Sequence, residues 1–324
     1  MDDLQKYSDL IKSLDAGNIA TYAQIKEKIE NLYKFLNTLD IEVAVKSHFE
    51  SDYLNAINGI EKYQFSKGLV NSDERDAIGG LHELYKWIWS VKEAPEFDKL
   101  IPHLKMLSES ATRINSSTNM INPVTLKQDD KTNKLIETIV AFYAVKSGTD
   151  VEIDDPITSS GGTNPDIIFS LNGKRVAFAC KTLRSSSSQT ILDNIRSAAK
   201  QINRAECDVG YILINTMNIL PHEDISKNVY FDYKNPIEYL TNYINNIYKK
   251  MNKESAEELI EIFKSNKIRP IILSFLHSTT RINSDNQIIS TMLKSTCVTE
   301  LIDAKCTQED LYIFNGINDF IHNR

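Results

Sequence analysis

Two polar residues stand at the ends of what reads as a tight β-hairpin, and together their types suit chemistry on a small ligand. Asp166 follows Pro165 at the start of one apolar run, and Lys181 closes the next. Between them lies Asn172-Gly173, the strongest two-residue hairpin signal a sequence offers. A two-residue turn there pairs Leu171 with Lys174 and sets Asp166 opposite Ala179. Lys181 is two residues further along the same strand, so it shares a face with Asp166. Diagonal neighbours of this kind sit roughly 5–8 Å apart and can converge on one ligand. The other face carries Ile167, Phe169 and Leu171 opposite Phe178, Val176 and Lys174, a mostly apolar set that fixes the register. The Asp/Lys face is otherwise Ile168, Ser170, Ala177 and Ala179, small enough for a helix to approach closely. The segment before the hairpin offers such a side, with Glu137, Ala141 and Ala144 at helical spacing.

The elements that must position these residues follow from periodicity. Residues 129–147 predict a helix with acids in its first turn, stopping at Gly148. A short strand at 151–153 precedes a Ser/Gly loop, TSSGGTNP, and the hairpin strands are expected at 166–171 and 174–181. A serine run leads into a helix at 189–204, and a strand at 209–215 follows. Strand, crossover helix, strand implies parallel pairing. Helices are expected at 236–250 and 254–265, and strands at 270–275 and 310–314. Upstream, residues 1–121 read as helices only. Leu4, Tyr7, Leu10, Ile11 and Leu14 recur at helical spacing, as do Ile19 through Leu36. Further helices are expected at 41–63, from an N-cap at Asn71 or Ser72, and at 96–114. The polar stretch 115–125 is the expected boundary between a helical domain, 1–121, and an α/β domain, 122–324.

Composition narrows the class. Eleven glycines and eight prolines in 324 residues are about half the ordinary usage, which favours long helices over a loop-rich β fold. Four scattered cysteines exclude a disulfide framework and a cysteine-rich zinc module. No secretory signal is visible, and no apolar stretch approaches the roughly 18 residues of a membrane span. The expectation is therefore a cytoplasmic chain with no membrane partner. The net charge of −7 hides a local excess, since residues 167–205 hold seven basic residues and one acid, Asp193. Arg196, Lys200 and Arg204 form a stripe opposite Ile191, Ile195, Ala198 and Ile202. A solvated face is the default for such a stripe; beside Lys181 it would become a phosphate track. Arg184 and Gln189, near the helix start, are further candidates for nucleic-acid contact. Trp87 and Trp89 read as helical core or interface, and His222 and His277 as structural.

Pro165-Asp166, the hairpin, then Ala179-Cys180-Lys181 resembles the PD-(D/E)XK nuclease superfamily. The element order is also the family's: helix with an acid (Glu137), strand, Pro-Asp, strand ending in Lys, crossover helix, strand. The resemblance covers about residues 129–215. It implies a restriction-endonuclease-like α/β core, with the helical domain serving partner, substrate or oligomer contacts. It also implies hydrolysis of phosphodiester bonds, of DNA in preference to RNA, as in bacterial restriction or phage defence. Asp166 and Glu137 would hold Mg²⁺ or Mn²⁺ together with the main-chain carbonyl of Cys180, and Lys181 would orient the attacking water. Hard oxygen ligands suit such ions. One departure stands out. The family's second acid belongs two residues before the lysine, where this chain has Ala179. Glu137, Asp193 and Glu152 are the candidate substitutes. Without one, the domain would be a degenerate module that binds nucleic acid or a protein partner without cutting.

Overall fold

The computed structural model describes residues 21–66, 70–110, 112–115, 117, 131–156, 163–284 and 287–322. The expected helix around Leu4–Leu14 and most of the 115–125 boundary lie outside them. Asn172 and Gly173 both have positive φ, 50° and 77°, which is the turn that the right-handed twist of two strands requires. Ile167–Leu171 (β2) and Lys174–Thr182 (β3) accordingly pair antiparallel in the expected register, with Ile167 opposite Phe178 and Leu171 opposite Lys174. Thr149–Ile153 (β1) adds antiparallel to β2.

The helix before this meander is Leu135–Ser147, preceded by a 3₁₀ turn at Lys131–Lys134, and the helix after it is Ser188–Arg204, capped by the Ser187 hydroxyl. Val209–Asn215 (β4) then pairs parallel to β3, Ala179 beside Ile212 and Lys181 beside Ile214. The second half extends the sheet. Ile268–Ser284 runs parallel to β4 and carries the two-residue strand Val229–Tyr230 on the same edge (β5, with the longer strand β6). Gln287–Glu300 (β7) pairs antiparallel with β6 along its length. The result is a seven-stranded mixed sheet in the order β1-β2-β3-β4-β6-β5, with β7 on β6.

Two expectations are corrected in this half. β7 is a strand that the periodicity did not separate from its surroundings, and the strand expected at 310–314 is part of a helix, Gln308–Ile321. Leu311 to Phe314 reads as an apolar run. Ile313, Phe314, Ile317, Phe320 and Ile321 nevertheless all bury on one side, the helical period. A Thr307/Asp310 capping box starts the helix, Asp310 N–H donating to Thr307 Oγ1 at 3.2 Å.

Numbered in chain order, the helices are α1 Tyr22–Thr38, α2 His48–Glu61, α3 Ser72–Val91, α4 Ile101–Leu107, α5 Leu135–Ser147, α6 Ser188–Arg204, α7 His222–Lys227, α8 Lys234–Glu254, α9 Ala256–Ile262 and α10 Gln308–Ile321. α3 begins at the expected cap, with Glu74 N–H donating to Asn71 Oδ1 at 2.8 Å and Asn71 N–H to Glu74 Oε2 at 2.9 Å. The helix expected at 96–114 is shorter, a 3₁₀ turn Phe97–Leu100 followed by α4. The apolar core of α1–α4 runs without a break into α5, the Phe169/Phe178 face of the sheet and α10. A second core, on the Ala179/Ile212 face, holds α6, α8 and α9.

Candidate active site

The sheet sorts its helices by the size of what each face presents. The aromatic face takes α5, whose residues from Leu135 to Val145 are all buried, with Tyr143 edge-on to Phe169 at 6.1 Å. A helix apolar on every side must be sandwiched, and α5 lies between the sheet and helices α3 and α10. The small-residue face takes α6 through Ile191, Ile195, Ala198 and Ile202. Contact there is close: a Cβ on Gly210 would overlap the Ile202 side chain. Helical spacing alone places α5, through Ala141 and Ala144, on the Asp/Lys face. Those alanines are buried in the aromatic-face core instead, and α6 is the helix that approaches.

Glu137 reaches the site from the first turn of α5. The Asp166 N–H donates to the Phe178 carbonyl at 3.0 Å; Phe178 already pairs with Ile167, so Asp166 steps out of the hairpin register as a bulge and does not sit opposite Ala179 as expected. The carboxylate of Asp166 turns back over the strand end and accepts the Cys180 N–H at 2.6 Å. Burial first, and the Glu137 carboxylate second, push Asp166 up to about 7, against the pull of Lys181, the Cys180 N–H and Lys134. Glu137 moves the other way. Burial would raise it, but the hydrogen bond from His103, the Lys134 charge and the charge of His103 hold it below the usual carboxylate range. His103 Nε2 lies 3.0 Å from Glu137 Oε1, and Lys134 Nζ lies 2.9 Å from Oε2. Burial, Asp166 and Glu137 push the Cys180 thiol well up, which disfavours the thiolate; the group it turns to Asp166 is its main-chain N–H.

Lys181 projects to the α6 side, where its ammonium donates to Gln201 Oε1. Gln201 is buried on α6, and its Nε2 donates to the Asn164 carbonyl at 2.7 Å. One side chain thus ties the lysine to the loop that presents Pro165-Asp166. Three residues absent from the sequence reading therefore belong to the site: Gln201, His103 and Lys134. A fourth is Asp154. Its N–H donates to the Asp166 carbonyl at 2.9 Å, which carries the β1–β2 register one step past Ile153–Ile167 and sets Asp154 opposite Asp166. Both acids act on Lys134. The paired acids Asp154-Asp155 before Pro156 were the signal available in the sequence for this position.

The other two substitutes for the acid missing at Ala179 are engaged elsewhere. Asp193 accepts from Arg196 at 2.5 Å and from Gln189 at 3.0 Å on the exposed side of α6. Glu152 is exposed and ion-paired to Arg175. Of the expected phosphate contacts, Arg196 is also held by Glu258 at 2.5 Å, and Gln189 is spent on Asp193. Arg184, Lys200 and Arg204 are exposed. Arg204 lines a cleft of about 560 Å³ with Asp154, Asn164, Pro165, Ile168 and Arg175, so the end of the stripe lies beside the site. Among the described residues, no three His, Cys, Asp or Glu side chains converge as a metal cluster, and no helix is long and apolar enough to cross a membrane. Comparison of the chain with protein-family models, with curated proteins and with solved structures finds no match.

Proposed function

We propose that this chain is a metal-dependent nuclease of the PD-(D/E)XK kind, acting on DNA, with Asp166, Glu137 and Lys181 at its centre. The observation that carries the reading is the Asp166 carboxylate. It is buried at the head of β2, where Glu137 from the preceding helix and Lys181 from the end of β3 both act on it. The order α5-β1-β2-β3-α6-β4, with β3 and β4 parallel, supports the restriction-endonuclease-like core that the motif implies.

The donor set fits Mg²⁺ or Mn²⁺ in kind. Asp166 and Glu137 offer hard carboxylate oxygens, and Cys180 offers a main-chain carbonyl on the strand edge that faces Asp166. Asp166 is poorly compensated as an anion, which a divalent cation would correct. Magnesium is commonly held by one or two carboxylates, with water and substrate phosphate filling the rest. When bound, such an ion activates water and neutralises charge on the phosphate. The protein's own part is positional. Gln201 aims the Lys181 ammonium, which stabilises charge developing on the attacking oxygen. His103 and Lys134 hold Glu137 ionised and in place.

Intact protein is incubated with plasmid, linear duplex DNA and RNA in Mg²⁺, Mn²⁺ or EDTA. Metal-dependent cleavage of DNA is the expected result, and Asp166→Ala and Lys181→Ala should each lower it by orders of magnitude with the melting temperature kept. Ala179 at the acid's usual position supports one alternative, a fold that binds nucleic acid without cutting. Retention of DNA in a filter or mobility assay, with no cleavage in either metal, would establish that alternative.

A further inference from the structure

The two ends of α5 face different clefts. Glu137 stands in its first turn, while Lys146 and Ser147, in its last, border a separate cleft of about 330 Å³ between α5 and α10. At 1.5 Å per residue the two ends are about 14 Å apart along the helix, so this cleft is distinct from the candidate active site.

Its walls are aromatic. Tyr143 is buried, with its ring edge-on to Phe320 at 6.1 Å, and Tyr312 is 57% exposed on the opposite wall. The Lys146 ammonium lies 5.4 Å from the centre of the Phe320 ring. Gly316 lets α10 close onto the Tyr143 ring at the cleft floor, because a Cβ there would stand 2.7 Å from the Tyr143 hydroxyl. The polar groups around these rings are uncommitted. Among the described residues, Lys146 and Asp319 have no ion-pair partner, and the Tyr143 hydroxyl has no hydrogen-bond partner.

Each of these features asks for one part of a ligand. The exposed Tyr312 ring favours a flat heterocycle, which stacks at little entropic cost. An unpaired ammonium at one end favours an anion, and a carboxylate accepts hydrogen bonds only, so the edge facing Asp319 must carry N–H donors. The volume falls at the small end of the range for ligand sites. We propose that the α5–α10 cleft binds a nucleotide, its base against Tyr312, its phosphate at Lys146 and its N–H edge at Asp319. Guanine, which presents adjacent N–H donors, fits the carboxylate best. The same chemistry serves a free mononucleotide or the terminal nucleotide of a strand.

Calorimetric titration of the intact protein with GMP, AMP and CMP in EDTA tests this, with a 5′-phosphorylated trinucleotide as the second arm. Saturable binding is expected, tightest for GMP. Equal affinity for GMP and a trinucleotide beginning with G assigns the site to free nucleotide, and tighter binding of the trinucleotide assigns it to a strand end. Lys146 and Tyr312 are exposed, so Lys146→Glu and Tyr312→Ala should keep the fold, checked by thermal melting. Each should weaken binding about tenfold or more. Asp166→Ala, at the far end of α5, should bind like the unchanged protein, so the result is independent of whether the chain cleaves DNA. Absence of saturable binding in the millimolar range overturns the proposal, as does affinity unchanged in both Lys146→Glu and Tyr312→Ala.

Discussion

Two buried carboxylates, Asp166 and Glu83, show how differently one chain can treat the same group. Glu83, on α3, receives Lys294 of β7 at 2.7 Å and Lys86 at 2.8 Å. Burial would raise it, but the two ammoniums hold it down at about 2. Lys294 also donates to the Ile321 carbonyl at 2.9 Å, which pins the end of α10 to the same cluster. Asp166 has one backbone N–H at bonding distance and a second carboxylate pushing on it, and it rises to about 7. A charge completed by its own fold is a structural joint. A charge left incomplete is costly unless something outside the chain completes it, and such groups concentrate at functional sites.

The sharpest way to break this contrast is to neutralise each acid in turn. Glu83→Gln leaves two buried ammoniums without a counter-charge and should cost about 3–5 kcal/mol of stability, read from urea unfolding. Asp166→Asn should cost none, and at pH 8 in EDTA it should stabilise. The sign follows from the raised pKa. The unfolded carboxyl loses its proton near pH 4 and the folded one only near 7, so the wild-type penalty grows across that window and persists above it. A large loss in Asp166→Asn would make the two acids alike and remove the basis of the comparison.

The Glu83 side has its own pH signature. Burial, chiefly, pushes His277 down to about 3 and His82 down to about 4. Both are neutral in the fold, whereas the unfolded chain takes up protons near pH 6.5. Stability contributed by their neutral burial is therefore lost as pH falls from about 6.5 toward 3. The expected loss is on the order of a few kcal/mol, and His277→Gln should flatten the profile measured by denaturant unfolding.

Smaller effects concern the Asp166 side. His103→Ala removes a partner of Glu137, and under the proposed nuclease reading it should lower cleavage about 10–100-fold, with a parallel weakening of Mn²⁺ binding by calorimetry. Lys200→Glu and Arg204→Glu should weaken DNA binding uniformly across sequences, each reducing the salt slope by about one. Arg196→Ala should change binding little, because Asp193 and Glu258 already hold that guanidinium. Equal effects at 196, 200 and 204 would mean that the stripe acts as one electrostatic patch and that the ion pairs are irrelevant.

Much of this arrangement was written locally in the chain. Asn172-Gly173 determined the turn and the register, and alternation in the two flanking strands determined which side chains faced the aromatic core. The α6 stripe determined its own buried face, and Ala179 announced a missing acid. These features depend on residues a few positions apart, where backbone sterics and period decide the outcome. Local reading failed where the deciding contact was distant. The run at Leu311–Phe314 reads as a strand until Tyr211, whose hydroxyl donates to Asp310 at 2.9 Å, and the core around it select the helix. β7 is a strand because β6 lies beside it along its whole length.

Tertiary structure alone decided which helix covers which face, since that depends on matching the bulk of one surface to another. Only the fold brought His103 to Glu137, Gln201 to Lys181 and Asp154 opposite Asp166, pairs that no periodicity links. The sequence by itself determined the hairpin and its candidate acid and lysine. Whether those groups would be neutralised or left exposed to each other's fields was settled by packing, because the energy of a buried charge is set by every group around it in space.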